Sequence, residues 1–354
     1  MNARHALWVS TSTETRGGVA TYVRTMQRTP LWDLWHIRHV VTHRNGSVAA
    51  RVFAFLLALG AFACELAVRR PAVVHLHTAS YGSFARKSTL SWMSRIARVP
   101  VVIHVHGAEF SHFYNRSPHL LRHYIRVTLE MADAVVALGD TWAAALQTIA
   151  PRASISVVSN AVAPAAAVRQ PPPGEALNVL FLGEVEERKG AFLLLQAWGE
   201  FTRLPLPIEV NLVLAGGGAV ARARRMVEEL GIADQVRLTD WVPPERVESL
   251  LAESHVLVLP SNFEGQPMAV LEAMARGLCV VATDVGGIPD LVGDCGVLVP
   301  AGDVASLVAA LCRVTQDNDL REQLGAGALR RVEECFDVNS TWKTLDSLYR
   351  QLTP

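Results

Sequence analysis

The chain has no C-x-x-C pair, and its five cysteines, at 64, 279, 295, 312 and 335, are an odd number. That argues against a zinc ribbon or a fully paired disulfide frame and leaves reduced core thiols. Long apolar runs are also missing. The longest, Val52 to Cys64, has 13 residues, short of the ~18 that suggest a membrane span, and it predicts a buried or interfacial helix. The opening MNARHALWVS lacks the basic start, apolar stretch and cleavage site of a secretory leader, which predicts a cytoplasmic protein. No D-x-D pair stands at the end of a predicted strand, and no basic-aromatic module for nucleic acid stands out. The first predicted strand is followed by T-R-G-G-V-A and not by G-x-G-x-x-G with a later ribose acid, which argues against a Rossmann dehydrogenase.

What is present is a 354-residue chain, 50% apolar and 19% charged, longer than one core usually covers. Its net charge of zero conceals an asymmetry. Residues 1–165 carry 17 basic against 7 acidic side chains, and the remainder carries 16 against 26. Eleven of the twelve histidines lie in the first half. A half this basic suits a surface that meets an anionic membrane or a phosphorylated substrate.

Short β-branched runs at 6–10, 72–77, 101–106, 134–138 and 154–159 alternate with helical patterns, as βα units feeding a parallel sheet do. AVAPAAAVRQPPPGEA, 161–176, has four prolines and little to pack, and it marks a hinge. A second series follows at 177–183, 209–216, 235–241, 255–260, 279–283 and 296–300. The expected division is a first Rossmann-like domain over 1–164, a linker over 165–176 and a second Rossmann-like domain over 177–337. A C-terminal helix over 338–354 should pack back toward the first domain. Doubly wound sheets bind ligands at the carboxyl ends of their strands, and here also in a cleft between the halves.

The stretch SNFEGQPMAVLEAMARG, 261–277, holds Glu264 and Glu272 with seven residues between them. Glu264 precedes a helix expected to open near Pro267, and Glu272 lies more than a turn inside it. Two acids placed so differently do not suggest the paired carboxylates of a glycosidase. They suggest two anchors for the hydroxyls of one elongated ligand whose phosphates meet the N–H groups of Gly265, Gln266 and Met268, that is, a nucleotide-sugar. Lys189, at a loop-to-helix junction, has the charge to neutralise a diphosphate. The glycine run 216–218 is weak evidence for a phosphate turn, since a tight turn alone explains it.

The E-x7-E block, followed by V-V-A-T-D-V-G-G-I-P-D-L-V, resembles the retaining glycosyltransferase family 4. Its other motifs occur in order: Gly17-Gly18 after the first strand, His104-Val105-His106-Gly107, Val157-Val158-Ser159-Asn160, and Phe181-Leu182-Gly183 leading to Lys189-Gly190. HGAEF with the Phe-Tyr pair that follows, His106 to Tyr114, is similar to the branch that builds bacterial exopolysaccharide and lipopolysaccharide. The resemblance implies an α/β protein of the GT-B fold, two doubly wound Rossmann-like domains facing across a cleft. It implies a retaining hexosyltransferase, with Glu264 on the donor sugar, Glu272 on the ribose, Lys189 on the diphosphate and His106 beside the transferred sugar. Gly18 would admit the N-terminal loop to the diphosphate, and Gly183 would be among the donor-binding residues. The family places arginine directly after the glycine matching Gly183, where this chain has Glu184, so Arg188 is the candidate replacement cation.

The implied reaction moves a sugar from a UDP- or GDP-sugar to a lipid-linked or oligosaccharide acceptor, with no cofactor and no metal. It would take place in the cytoplasm, with the inner face of the plasma membrane as the expected meeting place of anionic lipid and the basic N-terminal domain. The helix FARKSTLSWMSRIAR, 84–98, mixes basic and apolar residues as an interfacial helix does, and equally as a core helix with a basic outer face. His75 and His77, like His104 and His106, share a strand face; that spacing suits a metal, but strand-end histidines bonded to backbone are commoner. The alternatives are a nucleotide-sugar epimerase on the same architecture and a non-catalytic two-lobed sugar-binding protein.

Overall fold

In the computed structural model, which describes residues 5–171 and 175–353, the chain divides into two units. One comprises Met1–Ala161 with Val338–Pro354, and the other comprises Val162–Asp337. Each is built on a six-stranded parallel sheet.

The first sheet contains β1 (Ala6–Ser10), β2 (Arg38–Val41), β3 (Val73–Thr78), β4 (Val101–Val105), β5 (Ala134–Ala137) and β6 (Ile155–Val157), in the order β2-β1-β3-β4-β5-β6. All its pairings are parallel. Strands β1, β3, β4 and β5 are buried along their whole length, which is why they read as largely apolar runs, interrupted by His75, His77 and His104 and by the closing Ser10 and Thr78. The short edge strand β2, with exposed Arg38 at its start, carries no such signal and is absent from the strands expected above.

The helix Val338–Leu352 belongs to this first unit. It buries Leu345 and Tyr349 among Ala6, Trp8 and Tyr22. Trp35 Nε1 donates to Asp346 Oδ1 (2.8 Å), and Trp8 Nε1 donates to the Tyr349 hydroxyl (2.9 Å).

The 13-residue apolar run lies within a helix over Val48–Cys64 that continues as a wider turn to Arg69. Its 22 residues are long and apolar enough to cross a membrane by length and composition. It nevertheless connects β2 to β3, two strands of one sheet, so it is a crossover helix. Ala58 and Phe62 face the core, while Phe53, Leu56 and Leu57 are each more than half exposed. Of the two readings left open for residues 84–98, the packing agrees with the core helix. The helix Gly82–Ile96 buries Phe84, Lys87, Ser88, Leu90, Ser91 and Ser94, its serines bonding back to carbonyls such as that of Leu90. The polar face that suggested contact with headgroups is partly an inner face.

The second sheet contains β7 (Leu177–Leu182), β8 (Val210–Ala215), β9 (Val236–Thr239), β10 (Val256–Leu259), β11 (Cys279–Thr283) and β12 (Val297–Val299), in the order β12-β11-β10-β7-β8-β9. The segment expected to have little to pack is instead tied down within this unit. Ala165 and Val168 donate to the carbonyls of Ala275 and Arg276 (3.0 and 2.8 Å). Buried Gln170 accepts from Arg321 Nε (3.0 Å). Residues 172–174 of the expected linker lie outside the described residues.

Candidate functional site

The chain runs from β7 outward through β8 and β9, then returns to place β10 on the other side of β7. Where strand order reverses, the loops leaving the two strands diverge and open a crevice at their carboxyl ends. Lys189 lies on the loop after β7 and Glu264 on the loop after β10.

These two side chains meet. Lys189 Nζ donates to Glu264 Oε1 at 2.6 Å, and Ser261 Oγ donates to the same oxygen at 2.8 Å. Glu264 is 5% exposed and Ser261 fully buried. The loops are also joined through their backbones: Asn262 N–H donates to the Arg188 carbonyl (2.8 Å), and Asn262 Nδ2 to that of Glu187 (3.1 Å). Thr283, ending β11, donates from Oγ1 to the Ser261 carbonyl (2.5 Å). The result is a carboxylate and an ammonium held at the mouth of the sheet by three converging loops.

Glycines permit this closeness. A Cβ on Gly190, at φ +72°, would lie 1.9 Å from the Pro260 carbonyl oxygen. One on Gly286, at φ +55°, would lie 1.9 Å from the carbonyl oxygen of Glu264 itself. Gly286 is a site residue that the sequence did not single out, although it stands in the V-G-G-I-P-D stretch noted above. The glycines at 216–218 serve a structural purpose, since the 183–185 backbone packs against them, with Val185 N–H donating to the Gly217 carbonyl (2.7 Å).

The remaining expected donor residues fall as follows. Gly183 donates its N–H to the Ala215 carbonyl (3.0 Å) and leads into the loop that carries Lys189. Gly265, Gln266 and Met268 follow Glu264; Gln266 and Met268 are buried, and the helix opens at Met268 with Pro267 capping it. Glu272 lies inside that helix, partly buried. Arg188 is engaged locally, its Nη2 2.7 Å from Glu186 Oε1, and Glu184 is exposed.

His106 and Gly18 lie in the first unit. Gly17, at φ +119°, makes the left-handed bend, and Gly18 begins the helix Gly18–Gln27. His106 Nε2 is 3.0 Å from His77 Nδ1, and His75 Nε2 is 3.2 Å from His104 Nδ1. His75 Nδ1 in turn bonds the Tyr349 hydroxyl. Burial brings His75 and His106 down to about 3 and holds His77 and His104 well below the ordinary imidazole range, so all four are neutral near pH 7. Nitrogens of His75, His77 and His104 lie within 4.8 Å of one another, near enough to consider an ion. The bonds between rings and to Tyr349 already engage both nitrogens of His75 and the Nδ1 atoms of His77 and His104. With no carboxylate among these histidines, a buried dication would be poorly compensated. Nε2 of His77 and Nε2 of His104 are buried without a hydrogen-bond partner among the described residues, so the hydrogen bonds account for only part of the cluster.

Two family models together cover most of the chain. Glycosyltransferase Family 4 matches residues 15–166, and Glycosyl transferases group 1 matches residues 166–331. A D-inositol 3-phosphate glycosyltransferase of Corynebacterium diphtheriae is 33% identical over 180 residues, 48% of this chain and 41% of that protein. The O-antigen chain mannosyltransferase B of Escherichia coli is 31% identical over 172 residues, 48% of this chain and 44% of that protein. The aligned stretches thus span less than two thirds of these relatives' own length. Among solved structures, Anabaena HepE in complex with UDP-glucose superimposes with a TM-score of 0.75 at 17% identity, covering 98% of this chain and 99% of that one. That likeness is one of fold: two parallel-sheet α/β units of the GT-B kind.

Proposed function

Since the chain belongs to the glycosyltransferases, with Family 4 over its first unit and group 1 over its second, we propose that it transfers a sugar from a nucleotide-sugar donor to a growing cell-surface polysaccharide. The observation that carries this reading is the Lys189–Glu264 pair at the switch point of the second sheet. A nucleotide-sugar presents both a diphosphate and vicinal hydroxyls, and the pair offers a cation for one and an acceptor for the other. The mannosyltransferase relative is named for O-antigen chain synthesis, and HepE was solved with UDP-glucose. The first supports a polysaccharide acceptor and the second a UDP-sugar donor; the donor in this reading is a UDP- or GDP-sugar and the acceptor is lipid-linked or an oligosaccharide.

In this reading the bond between the anomeric carbon and the diphosphate oxygen breaks while positive charge grows on the sugar, an acceptor hydroxyl oxygen bonds to that carbon, and the hydroxyl proton leaves with the nucleoside diphosphate. Lys189 turns from Glu264 to the leaving diphosphate, and a fixed cation of this kind supplies several kcal/mol of transition-state stabilisation. Glu264, released from the lysine, accepts from donor-sugar hydroxyls, and Glu272 from the ribose. His106 stands beside the transferred sugar as a neutral imidazole. Transfer proceeds with retention and without a divalent ion or other cofactor, and the basic first unit contacts an anionic membrane surface.

The test is thermal unfolding of the full chain with UDP-, GDP- and ADP-sugars. One nucleotide class should raise the midpoint, by ~2.7 kcal/mol of stability at a hundred times Kd. Product anomer configuration by NMR and turnover in EDTA then check retention and metal independence. No response to any nucleotide-sugar would end the proposal.

A further inference from the structure

The first sheet has its own reversal of strand order, between β1 and β3. The carboxyl ends of β1, β2 and β3 gather an excess of positive charge. Lys87, 2% exposed, donates from Nζ to Thr42 Oγ1 (2.5 Å), just past the end of β2. Arg86 precedes it on the same helix and has a buried Nε with no hydrogen-bond partner among the described residues. Arg51, exposed, comes from the first turn of the neighbouring Val48–Cys64 helix, which packs on both β2 and the Gly82–Ile96 helix. His43 and His39 complete the group, His39 Nε2 lying 2.7 Å from Ser10 Oγ.

No carboxylate is within ion-pairing distance of Arg51, Arg86 or Lys87 among the described residues. Burial, and then the charge of Arg86, bring Lys87 down to about 7. Burial and the charges of Arg86, Lys87 and Arg51 lower His43. Cations gathered around a buried ammonium without a counter-charge are costly to the empty protein, and an arriving anion offsets that cost.

The helix that supplies Arg51 shows what else the anion carries. From Val52 to Cys64 it bears no charged side chain, yet Val52, Phe53, Leu56 and Leu57 are 54–62% exposed. Four such side chains side by side form a patch that water disfavours. Exposed Arg44 and Arg51 flank it at one end, and Arg69 and Arg70 at the other. An apolar stripe between basic ends is the pattern of a helix lying in an anionic lipid surface.

We propose that Arg51, Arg86 and His43, backed by Lys87, bind the diphosphate of a lipid-linked acceptor, and that the exposed face of the Val48–Cys64 helix rests in the lipid that carries it. The site assigns the acceptor of the function proposed above to named residues and rests on that reading. One occupant satisfies both halves: an anionic head for the cations and hydrocarbon for the stripe.

The experiment is vesicle flotation of the full chain with three compositions: phosphatidylcholine alone, the same with phosphatidylglycerol at matched charge, and the same with polyprenyl diphosphate. Roughly tenfold tighter binding to the polyprenyl diphosphate vesicles than to the phosphatidylglycerol ones is expected, the scale of a lost charge-assisted contact. Arg51→Gln with Arg86→Gln should abolish that preference. Phe53→Ser with Leu56→Ser should weaken binding to every charged vesicle. Equal binding to both anionic vesicles, or a preference that survives the double arginine substitution, overturns the assignment. The thermal response to nucleotide-sugars, measured on the same preparations, separates the two ideas. If it is intact without diphosphate preference, only the acceptor site fails; if it is absent while the preference persists, the site stands and the transferase reading fails.

Discussion

Replacing Lys189 with methionine removes the ammonium while keeping much of the side chain's length. Glu264, its side chain 6% exposed, then keeps the Ser261 hydroxyl as a donor but loses its counter-charge. Breaking a fully buried pair from one side costs ~3–5 kcal/mol. Here the Lys189 side chain is 19% exposed, so water relieves part of the loss and ~2–3 kcal/mol is the expected cost. For a unit of this size each kcal/mol moves the unfolding midpoint by ~2–4 °C, so Lys189→Met should melt roughly 5–10 °C below the parent. Adding Glu264→Gln removes the stranded charge but keeps the acceptor for Ser261. The double variant should therefore recover ~1.5–2 kcal/mol over Lys189→Met alone, a coupling that a double-mutant cycle isolates. Both variants should lose most of the midpoint shift that nucleotide-sugar gives the parent. If the single variant melts with the parent, or the two substitutions add independently, the pair does not hold these loops together and the proposed exchange of Lys189 from carboxylate to diphosphate has no basis.

Tyr349→Phe takes away the oxygen that meets both Trp8 Nε1 and His75 Nδ1; two buried groups lose their partner, and calorimetry should show a loss of ~2–3 kcal/mol. Acid should destabilise the first unit ahead of the second. His75 and His106 are held at about 3 in the folded chain against 6.5, so the unfolded chain binds more protons between those values. Their stabilising contribution is complete above pH 6.5 and falls as pH drops toward 3, by ~1.4 kcal/mol per pH unit for each histidine. Circular dichroism against pH should show two steps, and a single late transition would count against it. Gly286→Ala drives a Cβ against the Glu264 carbonyl and should abolish the nucleotide-sugar response in the thermal assay more completely than Glu272→Gln, which leaves the loops in place.

Strands such as VVHLHT and CVVAT are legible in the sequence because buried parallel strands need no alternation of polar and apolar residues. The E-x7-E spacing locates Glu264 because it lies within one loop and helix. Its contact with Lys189, 75 residues earlier, depends on β10 returning beside β7, which no local pattern encodes. Gly286 is silent in the sequence because its constraint is a backbone approach and not a side-chain chemistry. The basic helix at 84–98 is ambiguous in the sequence for another reason. Hydropathy counts Lys87 and the serines as outward-facing, whereas Thr42 and backbone carbonyls satisfy them inside. The exposed stripe within 48–64 reads equally well as core, since an apolar run shows its composition and not what covers it.

The helix Val338–Leu352 imposes an order on biosynthesis. It supplies Tyr349 and Leu345 to a core whose other members, Trp8, Tyr22 and Val73, leave the ribosome hundreds of residues earlier. Until those last turns emerge, the early sheet has one wall open, and Trp8 and His75 lack the hydroxyl they share. The middle of the chain, Val162–Asp337, is continuous and can complete itself first. A released chain truncated after Asp337 should accordingly resist protease over Val162–Asp337 and remain cleavable in its earlier portion.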